Sequence, residues 1–139
     1  YRFYNTRILI HRPFLAASAS STESSNLFQH LHTCLDAART SIQMQYESFY
    51  IEFTFEHGKT SPIIPSQQLQ LTNTYRWYNT TYALYGAMIL LHLVLSGFPS
   101  IRDEDLLLDV EKSLDIFESM NNIVVARRCA EMIREVLEV

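Results

Sequence analysis

The most extended hydrophobic pattern in the chain lies between residues 27 and 55, where apolar side chains recur at steps of three and four. The members of this series are Leu27, Leu31, Cys34, Leu35, Ala38, Ile42, Tyr46, Phe49 and Phe53. Because 3.6 residues complete one helical turn, the spacing predicts a long amphipathic helix with at most one break. Ile51 to Phe55 has strand propensity, but the helical series continues through it, so we expect helix there as well.

An earlier helix is predicted from Tyr1 to His11, with Tyr1, Tyr4, Ile8 and His11 on one face. It should end near His11, because Pro13 disfavours the helical conformation of the residue before it. Tyr1 already lies on the periodic face without a cap, so we expect the chain to be a fragment of a longer helical domain. Residues 16–25 are small and polar, which is typical of a mobile loop, and a second loop is expected near residues 58–66 around Gly58, Pro62 and Pro65.

The segment from Ser66 to Gly97 is the most apolar of the predicted helices. From Ala83 to Leu95 the chain is apolar nearly all round, and this run contains His92. A membrane span needs about 20 apolar residues, and this run is shorter. We therefore predict a central helix that is buried on all sides and no membrane association.

Two helices follow, from Asp103 to Met120 and from about Ile123 to Glu138, and we predict that they form a hairpin packed on the apolar helix. Asn122 is the expected N-terminal cap of the last helix. Its inward face is predicted to carry Ala126, Cys129, Ala130, Ile133 and Leu137, and the face of the preceding helix Leu107, Val110, Leu114 and Phe117.

These patterns predict an all-α fold of about five helices, arranged as an irregular bundle within a single domain spanning residues 1–139. The composition agrees, because only 3 Gly and 4 Pro leave few turns, and 47% hydrophobic residues are enough for a core. The net charge of −4 and the acidic residues that follow Arg127–Arg128 disfavour direct DNA binding. Two distant cysteines, Cys34 and Cys129, form neither a disulfide framework nor a zinc framework.

Candidate sites are few. Four tyrosines lie on one face of the apolar helix and could line a small-molecule pocket, although packing is the more usual role of such a row: Tyr75, Tyr78, Tyr82 and Tyr85. His92 could be a buried base or a ligand contact, but a core histidine bonded to a backbone carbonyl is favoured. His30 and Cys34 share a helix face, but no second pair completes a zinc site. Since catalytic motifs are also missing, we predict no catalytic residue, no metal site and no enzyme activity.

One segment resembles a known protein family. The stretch from Tyr4 to Leu15, with its aliphatic run followed by His11, Arg12, Pro13 and Phe14, is similar to a recurrent stretch of the fungal-specific transcription factor domain, also called the middle homology region of zinc-cluster regulators. The later series Cys34, Ala37, Ala38, Arg39 and Ile42, the apolar helix, and Val125-Ala126-Arg127-Arg128 in the last helix also resemble that domain in order. Because Arg12-Pro13 can end a helix, we assign the motif of His11, Arg12 and Pro13 a structural role.

The resemblance implies the C-terminal part of a regulatory domain in a nuclear transcription factor. DNA would be bound only by a six-cysteine zinc cluster elsewhere in the parent protein, and zinc is expected only there. The segment itself would need no cofactor and would modulate transcription through protein partners or the transcriptional machinery, with a small-molecule effector or a homodimer as further alternatives. Two rival hypotheses remain: a helical interaction scaffold without any link to DNA, and an enzyme fragment built around His92 and the tyrosine row.

Overall fold

The computed structural model describes residues 2–18, 25–57, 66–96, 103–120 and 122–138, and these residues form six helices and no strand. The helices are α1 (Arg2–His11), α2 (Pro13–Ser18), α3 (Ser25–His57), α4 (Ser66–Ser96), α5 (Asp103–Ser119) and α6 (Val124–Leu137). The all-α fold is therefore confirmed, and the helical assignment of Ile51 to Phe55 is correct. The side chains of Phe49 and Phe53 lie outside the described residues.

The core forms where α3 packs against α4, and α5 covers both helices. Ala38, Ile42 and Ala87 are fully buried at this contact, and Gly86 lies opposite the first two. A methyl group built on Gly86 would approach Ile42 Cγ1 to 3.0 Å and the carbonyl oxygen of Ala38 to 3.4 Å. Small side chains thus let the two helix backbones come close together, which is why this part of the α3 pattern contains alanines.

The first helix ends at His11, as predicted, but the chain does not continue into a loop. After the single residue Arg12, α2 begins at Pro13, so the loop predicted for residues 16–25 is wrong for Ala16 to Ser18. The reason is that proline, which ends a preceding helix, is also favoured as the first residue of a new one. Residues 19–24 lie outside the described part, as do residues 58–65 of the second predicted loop, while Ser25 and Ser66 are helical.

The prediction that α4 is buried on all sides is wrong for its C-terminal half. Ala83, Leu90 and Leu93 are buried, but His92 is exposed, Met88 is 45% exposed and Leu95 is 71% exposed. One side of α4 faces solvent because α3 and α5 both pack on the remaining surface. Within the described residues, no helix combines the length and the apolar character that a bilayer span requires.

The last two helices pack on each other, and α5 rather than α6 makes most of the contact with α4. In α6 the predicted face is correct, with Ala126, Cys129, Ala130 and Ile133 buried and Leu137 packed at the edge of the core. The prediction of Asn122 as the cap is wrong, because Ile123 occupies the N-cap position and makes no side-chain hydrogen bond to the helix. In α5 the buried face contains Val110 and Phe117, as predicted, but also Leu106, Asp109, Ser113 and Ile116, while Leu107 and Leu114 are only half-buried.

Candidate functional site: the junction of α1, α2 and α3

Two apolar side chains attach the α1–α2 segment to the rest of the protein. Ile8 and Leu15 are 1% and 3% exposed, one on each side of the turn at Arg12. The turn itself is fixed by backbone hydrogen bonds, from Arg12 N–H to the carbonyl of Ile8 (2.8 Å) and from Leu15 N–H to the carbonyl of Arg12 (3.1 Å). The carbonyl of Ile8 also accepts a long contact of 4.0 Å from the thiol of Cys34 in α3. This segment is therefore held firmly against α3.

Beside these anchors, His11 of α1 meets His30 of α3. Their Nδ1 atoms are 2.7 Å apart, and their ring centroids are 4.9 Å apart. Phe14 of α2 stacks on the His30 ring, at 4.1 Å between centroids and an interplanar angle of 11°. We refer to His11 and His30 as the histidine pair. The pair joins α1 to α3 through residues that are nineteen positions apart in the sequence.

Arg12 points toward α4 at the same junction. Its guanidinium carbon lies 5.7 Å from the centroid of the Tyr85 ring, within the range of a cation–π interaction. Pro13 contributes through the backbone, since it starts α2. The His11-Arg12-Pro13 motif and the tyrosine row were predicted independently of each other. They are in contact through Arg12 and Tyr85.

The charges around the junction come mainly from α1. Arg7 lies near Asp36 of α3, with 3.9 Å between Nη1 and Oδ2, and also covers the ring of Phe3 at 5.6 Å. Burial, the neighbouring His30 and the charge of Arg7 all lower the pKa of His11. Burial raises the pKa of the Cys34 thiol to about 11, so this thiol stays protonated at neutral pH. A protonated, fully buried thiol is a poor nucleophile and a poor metal ligand.

Tyr78 and Tyr82 of the predicted row do not form a pocket with His92, and the side chain of Tyr75 lies outside the described residues. Tyr78 is 41% exposed, and its ring stacks on that of Tyr82 with a centroid distance of 6.3 Å. His92 is exposed rather than buried, and its carbonyl accepts a hydrogen bond from the hydroxyl of Ser96, 2.7 Å away, so the expected core histidine is not found. Along a helix axis, the seven residues from Tyr85 to His92 correspond to about 10 Å.

A shallow cavity lies elsewhere, between α5 and α6. It encloses about 250 Å³ and is lined by Phe117, Glu118, Arg127, Ala130 and Arg134. Arg134 is already paired with Glu118 across the two helices. The cavity contains none of the candidate residues from the sequence. In the described part of the chain, no group of three His, Cys, Asp or Glu side chains could hold a metal ion.

Sequence reasoning missed two groups. The partner of His11 could not be found, because His30 lies nineteen positions later in the chain, beyond the whole of α2. The second group is centred on Asp109, which is 4% exposed and binds Arg39 and Lys112. Here a signal did exist: Asp109 lies one turn after Leu106 and one turn before Ser113, on the buried face of α5.

Comparisons with known protein families, with curated proteins and with solved structures found no match to this chain.

Proposed function

We propose that this chain is a helical regulatory domain of a zinc-cluster type transcription factor, which modulates transcription and does not contact DNA itself. One observation carries the proposal: the segment from Tyr4 to Leu15 contacts two other segments on which the family resemblance depends, at Cys34 and at Tyr85, and also packs on His30. His11 and Phe14 pack on His30, Ile8 contacts Cys34, and Arg12 covers Tyr85. A motif whose residues contact one another across four helices has a structural reason to recur in a helical domain.

The charge distribution supports the absence of direct DNA contact by this segment. Its net charge is −4, and the basic residues of α6 have acidic neighbours. Arg128 pairs with Glu131 at 3.3 Å, and Arg134 pairs with Glu118 of α5. A nucleic-acid interface needs a surface of unneutralised lysine and arginine side chains that displaces counterions from phosphates. In this proposal DNA and zinc belong to another module of the parent protein, which acts in the nucleus.

The mechanism we propose is a shift in population between a state that masks an activation surface and a state that exposes it. The domain itself would be non-enzymatic and would need no cofactor. A protein partner or the transcriptional machinery would bind one of the two states, and a small-molecule effector or a second copy of the chain are alternative ligands. On α1 three large apolar side chains are exposed, Phe3 by 64%, Leu9 by 38% and Ile10 by 58%, and we propose this helix as the partner-binding element.

The first test is to read the coding sequence upstream of Tyr1. We expect six cysteines arranged in Cys-x-x-Cys pairs, followed by a linker and further helical sequence. A coding sequence that extends well upstream without those cysteines would contradict the proposal.

The second test measures regulation directly. Residues 1–139 are inserted between a heterologous DNA-binding domain and a constant activation domain, and reporter transcription is measured. We expect output to differ from that of a fusion carrying an unrelated helical domain of equal length. Arg12→Ala should change the output and Arg128→Ala should not, with equal protein levels in both cases. Equal output from all four fusions would contradict a regulatory role.

A second candidate function, a helical interaction scaffold without any link to DNA, is favoured by the apolar side chains that α4 leaves exposed, such as Leu95. It predicts stable partner binding that is unaffected by the presence of the upstream cysteines.

A further inference from the structure

The histidine pair contains a hydrogen bond that depends on one proton. The centroid distance of 4.9 Å is much longer than the Nδ1–Nδ1 distance of 2.7 Å, so both nitrogens lie between the rings and face each other. A neutral imidazole has one N–H donor and one acceptor nitrogen, so one Nδ1 donates and the other accepts. Two imidazole nitrogens that bind the same tetrahedral zinc ion lie about 3.3 Å apart, which is longer than the 2.7 Å between these two atoms.

The charge state of the pair decides whether this bond exists. With no added proton, or with one, the two nitrogens share a single hydrogen and attract each other. When both rings carry an extra proton, both nitrogens become donors, and two positive charges face each other at hydrogen-bond distance. The bond is then lost and replaced by repulsion.

The groups around the histidine pair do little to stabilise the state in which both rings are protonated. Arg7 on α1 and Arg12, which lies between α1 and α2, are both cationic, and α2, residues 13–18, has no ionisable side chain. On α3, Cys34 is a neutral thiol, and Asp36 is directed to Arg7 over 3.9 Å. On α4, Tyr85 faces Arg12. Among the described contacts, no carboxylate touches either imidazole and so none would stabilise a doubly charged pair.

We propose that the histidine pair is a proton-sensitive contact, which fixes the α1–α2 segment on α3 near neutral pH and is released when both imidazoles are protonated. Ile8 and Leu15 remain buried anchors, so release loosens the segment rather than unfolding the protein. The segment carries Phe3 and Ile10, 64% and 58% exposed, whose presentation to a partner would change with it. The inference depends only on this geometry and stands whether or not the chain regulates transcription.

The direction of the pH effect follows from linkage. The pKa of His11 is lower in the folded protein than the ordinary value of about 6.5, so the unfolded chain binds more protons in this range. Stability therefore falls as the pH falls through about 6.5, and the loss is complete below the lowered folded-state pKa of His11. Above about 6.5 the full contribution of the contact is present.

The test combines two measurements on the chain of residues 1–139. Histidine ring signals are followed by NMR during a pH titration, and amide hydrogen exchange is measured near neutral pH and in mild acid, with correction for the intrinsic rate at each pH. We expect the pKa of His11 to lie below the ordinary value of about 6.5. Amides of α1 should lose protection several-fold more than amides of α6 between the two pH values.

The variants are His30→Gln and the matched control His32→Gln, an exposed histidine on the same helix. His30→Gln should move the pKa of His11 back toward its ordinary value and abolish the selective loss of protection in α1, whereas His32→Gln should change neither. Loosening of α1 by His30→Gln would also expose His11 and raise its pKa, so amide protection of α1 near neutral pH is compared between the two variants. An ordinary pKa for His11 in the unsubstituted chain, or identical behaviour of the two variants, would overturn the proposal.

Discussion

Arg39 donates its Nε–H to Oδ2 of Asp109 over 2.6 Å, and this bond joins α3 to α5. The Asp109 side chain is 6% exposed, whereas that of Arg39 is 44% exposed. Lys112 binds the other carboxylate oxygen at 2.9 Å and reaches across to the amide oxygen of Gln43 at 2.8 Å. A buried carboxylate with two cationic partners is thus the polar connection between the third and fifth helices.

We expect Asp109→Asn to lower the free energy of unfolding by about 1 to 2 kcal/mol. The substitution keeps the side-chain shape but removes the charge that both cations bind, and the partial exposure of Arg39 limits the cost. Urea unfolding measures the effect, and an unchanged m-value would show that stability alone has altered. The matched control is Glu131→Gln, because Glu131 pairs with Arg128 at an exposed position, and we expect a change within about 0.5 kcal/mol. Equal effects of the two substitutions would contradict a special role for Asp109.

Gly86→Ala should destabilise the protein by about 1 kcal/mol, although alanine has the higher helix propensity. The new methyl group would lie 3.0 Å from Ile42 Cγ1, and Ile42 is fully buried and has little room to move. The double variant Gly86→Ala/Ile42→Ala tests the cause. If crowding is responsible, the methyl group at position 86 becomes neutral or stabilising once Ile42 is shortened, and the two effects are not additive. Additive effects would show that the close approach of α3 and α4 is not the reason.

The predictability of this fold differs between helices for a physical reason. In α6 the buried residues Ala126, Cys129 and Ile133 follow one helical stripe, so their spacing was sufficient to identify the inward face. In α4 the residues from Ala83 to Leu95 are apolar on every side, so the same method could not show which side faces solvent. The exposure of His92 is decided by the positions of α3 and α5, which are tertiary information.

The candidate site was predictable only in part. Arg12-Pro13 indicated correctly that a helix ends there, because that effect is local. The contacts of His11 with His30 and of Arg12 with Tyr85 join residues far apart in sequence, and a single sequence has no local signal for such pairs. Pro13 illustrates a further limit, since the same residue both ends α1 and begins α2.

Cys34 should be almost unreactive toward thiol reagents in the folded protein. It is fully buried, and with a pKa of about 11 its thiolate fraction near pH 8 is on the order of one in a thousand. We expect alkylation by iodoacetamide, followed by mass spectrometry in a Cys129→Ser background, to occur only as fast as the protein opens. Labelling should become rapid in denaturant. Rapid labelling under native conditions would mean that the α1–α3 contact over Cys34 opens frequently.

The attachment of α1 can be tested with two isoleucines on the same helix. Ile8 is 1% exposed and Ile10 is 58% exposed, so the two sites differ in burial but not in residue type. Ile8→Ala removes buried methyl groups and leaves a cavity above Cys34, and we expect it to cost about 2 to 5 kcal/mol. Ile10→Ala should change the free energy of unfolding by less than about 0.5 kcal/mol. Thermal and urea unfolding of both variants measure this difference. The two variants also show whether the apolar anchor or the histidine pair is the main attachment of α1. If Ile8→Ala frees α1 at neutral pH while the rest of the protein stays folded, the apolar anchor is the main attachment and the histidine pair adjusts it.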